Sequence, residues 1–133
     1  MSDHSLALQQ TVFDALDDDS TLQSKISDVY DFVPTGTAYP YVVIGEDTLT
    51  NNGTKTIDSN EHTIMVHTWS RYRGRKEVKD IMARIYELLN NSSLTVSGAS
   101  LVNAKAEFSD IIIDQDGITK HGVQRFRFVV FDT

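Results

Sequence analysis

One amphipathic helix set between two stretches of alternating residues limits this chain to a small set of folds. Val78, Ile81, Met82, Ile85, Leu88 and Leu89 recur at i, i+3, i+4 and i+7 spacing, a period that puts them on one face of a helix. Asn90-Asn91-Ser92-Ser93 ends the pattern. Upstream, Tyr41 to about Thr48 and His62 to Trp69 read as two strands of a hairpin, with Asn52-Gly53 as a turn signal between them. In the second strand Ile64, Val66 and Thr68 face one way, and Met65, His67 and Trp69 the other. Downstream, residues 101–113 alternate with Val102, Ala104, Ala106 and Phe108 on one face. Asp114-Gln115-Asp116-Gly117 turns the chain, and residues 122–131 return with Phe126, Phe128 and Val130 inward and Arg125 and Arg127 outward.

The rest of the chain fills in around these elements. Residues 5–17 form a second helix, with Leu6, Phe13 and Leu16 at helical spacing. It ends at Asp17-Asp18-Asp19-Ser20, where Asp19 or Ser20 caps a short turn through Leu22 and Ile26. Both prolines, Pro34 and Pro40, fall in the connection into the first strand and bias the residues before them towards extended geometry. Leu94 to Val96 reads as a short β piece, followed by a turn at Ser97-Gly98. The expected fold class is α+β: one domain over residues 1–133, a mainly antiparallel sheet with two helices packed on one face, in the order α-β-β-α-β-β.

Composition narrows the function. Cysteine is absent, which removes disulfides, thiolate metal sites and cysteine nucleophiles. The start is polar and acidic, so no export signal is expected, and the apolar runs are too short to span a bilayer. The net charge of −7 opposes general binding to nucleic acid. That charge is unevenly placed. Asp3, Asp14, Asp17, Asp18, Asp19, Asp28 and Asp31 face Lys25 alone in residues 1–31, whereas Arg71, Arg73, Arg75, Lys76, Lys79 and Arg84 dominate residues 69–84. An acidic end and a basic middle suit contacts between copies of one chain.

Motifs for chemistry are missing. Neither G-x-G-x-x-G nor G-x-x-x-x-G-K occurs, and there is no G-x-S-x-G or H-E-x-x-H. Asp114-x-Asp116-Gly117 lacks the later oxygen ligands and terminal glutamate of a calcium loop in either register. His62 and His67 lie an odd number of residues apart on one strand and so point to opposite faces. Asp17-Asp18-Asp19 point in different directions from a helix end, which fits capping better than metal binding. No catalytic residue, cofactor or metal is therefore expected.

The segment Trp69-Ser70-Arg71-Tyr72-Arg73-Gly74-Arg75-Lys76 carries more information. Its cations enter the N-terminus of the long helix, where they oppose the helix dipole. Acidic groups on a neighbouring subunit or within the same chain must offset them. Arg71, Tyr72, Arg73, Arg75 and Lys76 are candidate interface residues on this ground. Asp17, Asp18 and Asp19 form the acidic counterpart, and Asn51, Asn52 and Gly53 a projecting and mobile hairpin tip.

Taken in order, several of these pieces resemble the small phage tail-completion proteins. These are also called tail terminators or head-to-tail joining proteins, and occur in long-tailed phages, prophages and gene-transfer agents. The likeness runs from about Leu6 to Val130. It is carried by the Leu-rich helix with its acidic end, Val33-Pro34, Tyr39-Pro40-Tyr41-Val42-Val43-Ile44-Gly45, and His67-Thr68-Trp69-Ser70 with Gly74. The run Asp116-Gly117-Ile118-Thr119-Lys120-His121-Gly122-Val123-Gln124-Arg125-Phe126 completes it.

The resemblance implies a structural virion or gene-transfer-agent protein, made in the bacterial cytoplasm and placed at the tail-neck junction. It implies a homo-hexameric ring that caps the tail tube, ends tube polymerisation and joins the tail to head-tail connector or adaptor proteins. The implied partners are other copies, the major tail tube protein and the connector, with DNA passing through the lumen unbound and no membrane. A head-completion or neck protein is the alternative reading. Two others are a nucleic-acid-binding module built on Trp69 to Lys79 and a small hydrolase using His121 with Asp114 or Asp116.

Overall fold

The computed structural model describes residues 3–54, 56 and 58–132. Its elements are α1 (Ser5–Asp17), α2 (Ser20–Gln23), β1 (Val29–Tyr30), β2 (Tyr41–Asn51), β3 (Ser59–Ser70), α3 (Lys76–Leu89), β4 (Ala99–Ile113) and β5 (Lys120–Asp132). The strands form one sheet in the order β1-β2-β3-β5-β4, antiparallel except for the β1–β2 pair. The α+β class and the two major helices on one face agree with the sequence pattern. The sequence gives no sign of β1, a two-residue strand that pairs Val29 with Val42 and Tyr30 with Val43.

Period-two columns make one face of the sheet apolar. Ile64 and Val66 of β3 stand beside Phe126, Phe128 and Val130 of β5, with Val42 and Ile44 of β2 and Ala104 of β4 on the same side, and all are buried. The α3 stripe Val78, Ile81, Met82, Ile85 and Leu89 covers this surface. Leu8, Val12 and Leu16 of α1 complete the core. Leu6 departs from the predicted stripe and is exposed. Gly122 permits the close approach of α3 to β5, since a Cβ there would sit 2.5 Å from Met82 Sδ and 3.0 Å from Val78 Cγ2.

Three local expectations differ from the structure. Residues Leu94 to Val96 form no strand; Val96 is buried beside the core while Thr95 O accepts a bond from Thr11 Oγ1. The alternation in β4 is broken by register shifts between Leu101 and Asn103 and between Ala106 and Phe108. Val102 and Phe108 are consequently 58% and 47% exposed, and only Ala104 and Ala106 of the predicted set face the helices. The first hairpin is longer than expected: pairing continues to Asn51 and Asn60, so the connection spans residues 52–58. Its expected mobility concerns a stretch that includes residues 55 and 57, which lie outside the described residues.

Phe126→Ala empties the centre of this core. The expected loss is about 3–5 kcal/mol out of a total of roughly 5–15, read as a lower urea midpoint at unchanged slope.

Candidate interaction surface

The basic segment lies at one end of the sheet, where β3 gives way to α3, and its backbone is tied down from below. Ser70 Oγ donates to Glu77 Oε1 at 2.7 Å and accepts from the Tyr72 N–H at 3.2 Å. Buried Lys120 donates from Nζ to the Tyr72 carbonyl at 2.9 Å. Gly74 takes a φ of +72°, left-handed geometry that glycine adopts without a Cβ penalty. Arg71 donates to Thr119 Oγ1 at 3.2 Å and Asp116 Oδ2 at 3.3 Å, and its guanidinium carbon lies 5.2 Å from the centre of the Tyr39 ring.

The sequence left open which acids offset these cations. Glu77 in the first turn of α3 and Asp116 beside Arg71 supply that compensation inside the chain. Asp116 also accepts from the Thr119 N–H, the Thr119 hydroxyl and the Ile118 N–H. These bonds, led by Thr119, hold its carboxyl far below the usual range. Arg71 is thus committed internally. Tyr72, Arg73, Arg75 and Lys76 are exposed, and the three cations have no ion-pair partner among the described residues.

The acidic turn is divided in the same way. Asp19 caps α2 by accepting the Leu22 N–H at 2.8 Å. It also receives both Arg84 Nε at 2.9 Å and a terminal Arg84 nitrogen at 2.6 Å. This two-point pair lowers the Asp19 carboxyl and raises the Arg84 guanidinium. Lys25 bonds Asp80 at 2.8 Å. The acidic end and the basic middle therefore meet partly within one chain. Asp17 is half-buried, and burial, with Asp28 next in effect, raises its carboxyl; Asp18 is exposed.

The hairpin tip lies at the opposite end of the sheet. Asn51 Oδ1 accepts the Gly53 N–H at 2.9 Å, and Asn52 Oδ1 accepts the Ser59 hydroxyl at 2.5 Å. The strand between the two ends has 12 residues, or about 40 Å of extended chain. The sequence candidates therefore occupy three places: one end, the other end, and the helical layer beside α3.

The outer face of the sheet carries a cluster that motif reading missed. The Trp69 and His121 rings stack with centroids 3.9 Å apart, and His67 stacks on His121 at 4.9 Å. His67 Nδ1 lies 2.7 Å from His121 Nε2, and His67 Nε2 lies 2.7 Å from Glu46 Oε1. Gly45 makes room for the His67 ring, since a Cβ there would lie 2.5 Å from it. Burial, then His67, pushes the His121 pKa down. Asp116 bonds its own turn and Arg71, so the suggested His121–Asp116 pair does not form. His62 and His67 do lie on opposite faces: His62 is buried under the helices, and burial lowers its pKa. The period-two pattern marks His67 and Trp69 as outward, but their meeting with His121 depends on the non-local pairing of β3 with β5.

The comparisons agree with this architecture. The family model for tail completion protein gp17 matches residues 10–130. Tail completion protein gp17 of Bacillus phage SPP1 is 32% identical over 126 residues, covering 95% of this chain and 93% of that protein. The solved structure of bacteriophage SPP1 gp17 superimposes with a TM-score of 0.66 at 29% identity, over 93% of this chain and 88% of the other. A chain from the virion of a native gene transfer agent particle shares the fold with a TM-score of 0.90 at 22% identity, over 98% and 99% of the two chains.

Two outcomes follow from the site chemistry. Asp19→Ala removes a helix cap and the acceptor of Arg84, and is expected to cost about 1–2 kcal/mol, whereas Asp18→Ala stays within about 0.5 kcal/mol of neutral; urea unfolding separates them. His62 and His121 have folded pKa values below the ordinary 6.5, so the unfolded chain binds more protons there. Stability is fully present above about pH 6.5 and is lost as the pH falls through the depressed folded values. Unfolding melts between pH 7.5 and 5 check this, and a H62Q variant flattens the slope.

Proposed function

Because this chain belongs to the tail completion protein gp17 family, we propose that it forms a closed homo-hexameric ring at the end of the tail tube. The ring stops tube polymerisation and presents a surface to the head connector, while DNA passes through its lumen. The observation that carries this reading is the row of cations at the start of α3 that have no ion-pair partner among the described residues. Arg73, Arg75 and Lys76 project from a loop whose backbone is fixed by Ser70, Glu77 and Lys120. A rigid, unneutralised charge cluster on a surface is suited to meeting an acidic protein partner. Tyr72 stands among these cations and adds an aromatic anchor.

The remaining surfaces divide the other contacts. Asn51, Asn52 and Gly53, at the far end of the sheet, meet the tube or the connector on the opposite side of the ring. Asp17 and Asp18 face a neighbouring copy, whereas Asp19 is held by Arg84 within the chain. The net charge of −7 supports passage of DNA without grip, since phosphate contacts need clustered positive charge facing the lumen.

Reversal of the three free cations, R73E with R75E and K76E, tests the assignment. Arg71 is left unchanged because it stabilises the turn that holds Thr119. The expected outcome is a fold of unchanged stability, with at least a tenfold drop in tails of normal length by negative-stain electron microscopy. Tails of normal length and number would contradict it.

A further inference from the structure

A groove of about 810 Å³ opens between α3 and the second half of β4. It lies beside the stretch of β4 that follows its second register shift, and the small Ala83 stands between Met82 and Tyr86 on the α3 side. Met82, Tyr86 and Ile111 give it apolar walls, and Arg75 and Lys79 stand at its margin. Neither cation has an ion-pair partner among the described residues. Of the two acids at its margin, Glu87 is paired with Arg84, and Asp110 accepts the Ile111 N–H.

A buried polar group with an unpaired acceptor lies in the wall of the groove. Gln124, only 4% exposed, lines it. Its Nε2 donates to the Met82 carbonyl at 2.9 Å, which fixes the orientation of the amide. Its buried Oε1 has no hydrogen-bond partner among the described residues. An acceptor left in this state is destabilising until a donor reaches it.

We propose that the occupant is the Asp31-Phe32 loop of the next copy in the ring. Phe32 is 83% exposed, the most exposed large apolar side chain among the described residues, and acidic Asp31 precedes it. The phenyl ring matches the Met82–Tyr86–Ile111 walls. Asp31 matches Arg75 and Lys79 in charge, and a backbone N–H of the loop satisfies Gln124 Oε1.

The placement of the two partners suits a ring. The loop leaves β1 at one edge of the sheet, and the groove lies beside β4 at the other. Four strand spacings, about 19 Å, separate the edges, so a loop cannot fill its own groove. Tyr30, Val43, His67, Val123 and Asp110 stand in one row across all five strands. The loop therefore departs at the level at which the groove opens. A contact between unlike patches on opposite edges is the head-to-tail kind that closes into rings.

This inference rests on the ring proposed above, and the test separates the two. The chain has no cysteine, so introduced thiols report on this contact alone, and both chosen positions are exposed. Tails are assembled with an equal mixture of T35C and A83C chains, which keep Phe32 in place, and treated with a short bis-maleimide. A covalent dimer is expected from the mixture and from neither variant alone, and the T35C/A83C double variant gives a ladder of oligomers. Tube ends that carry several copies of the chain yet give no cross-link would overturn the contact and leave the ring intact. Tube ends that carry one copy or none would overturn the ring and the contact together.

Discussion

Burial of a single sheet face under α1 and α3 is the constraint from which the rest of this structure follows. Phe126 and Phe128 lie fully buried between the sheet and the helices, joined by Ile64, Val66, Ile81 and Ile85. Fully burying each such side chain is worth about 1.5–3 kcal/mol, and the period of two that aligns them also sends Arg125, Arg127, His67 and Trp69 to the other side. No helix of the described chain covers that second face. Both sheet edges, the two ends and the outer face are left outside this core.

Charge is then allotted between holding the fold and meeting partners. Asp19 with Arg84, Lys25 with Asp80 and Arg71 with Asp116 join distant segments of the chain. The residues beside them in sequence, Asp18, Arg73, Arg75 and Lys76, point to solvent. Composition alone presents an acidic N-terminal part and a basic middle as two complementary surfaces. In the fold, part of each meets the other within one chain.

Local pattern carried the α3 stripe, the β3 and β5 faces and the Asp114–Gly117 turn, because each depends on neighbours a few residues apart. It failed where a longer range decided. The register shifts in β4 turn Phe108 outward, where Arg125 lies over its ring at 5.5 Å, and a strict alternation has no mark for an inserted residue. Strand β1 is too short for any period. Leu94 to Val96 has β-forming composition but is held by packing rather than by a sheet partner. The Glu46–His67–His121–Trp69 cluster joins three strands, and the α3–β4 groove depends on a helix and a strand distant in sequence coming side by side. Among the residues named from sequence for contact, Arg71 and Asp19 also bond within the chain, to Asp116 and Arg84.

Cryo-electron microscopy of intact tails, with this chain traced in the map, tests the proposed ring. A closed ring of this chain is expected on the head-proximal end of the tube, with the β1 edge of each copy against the β4 edge of the next and the start of α3 at a protein boundary. A chain found on heads before tails attach, or at the junction with no neighbour of its own kind, would contradict it.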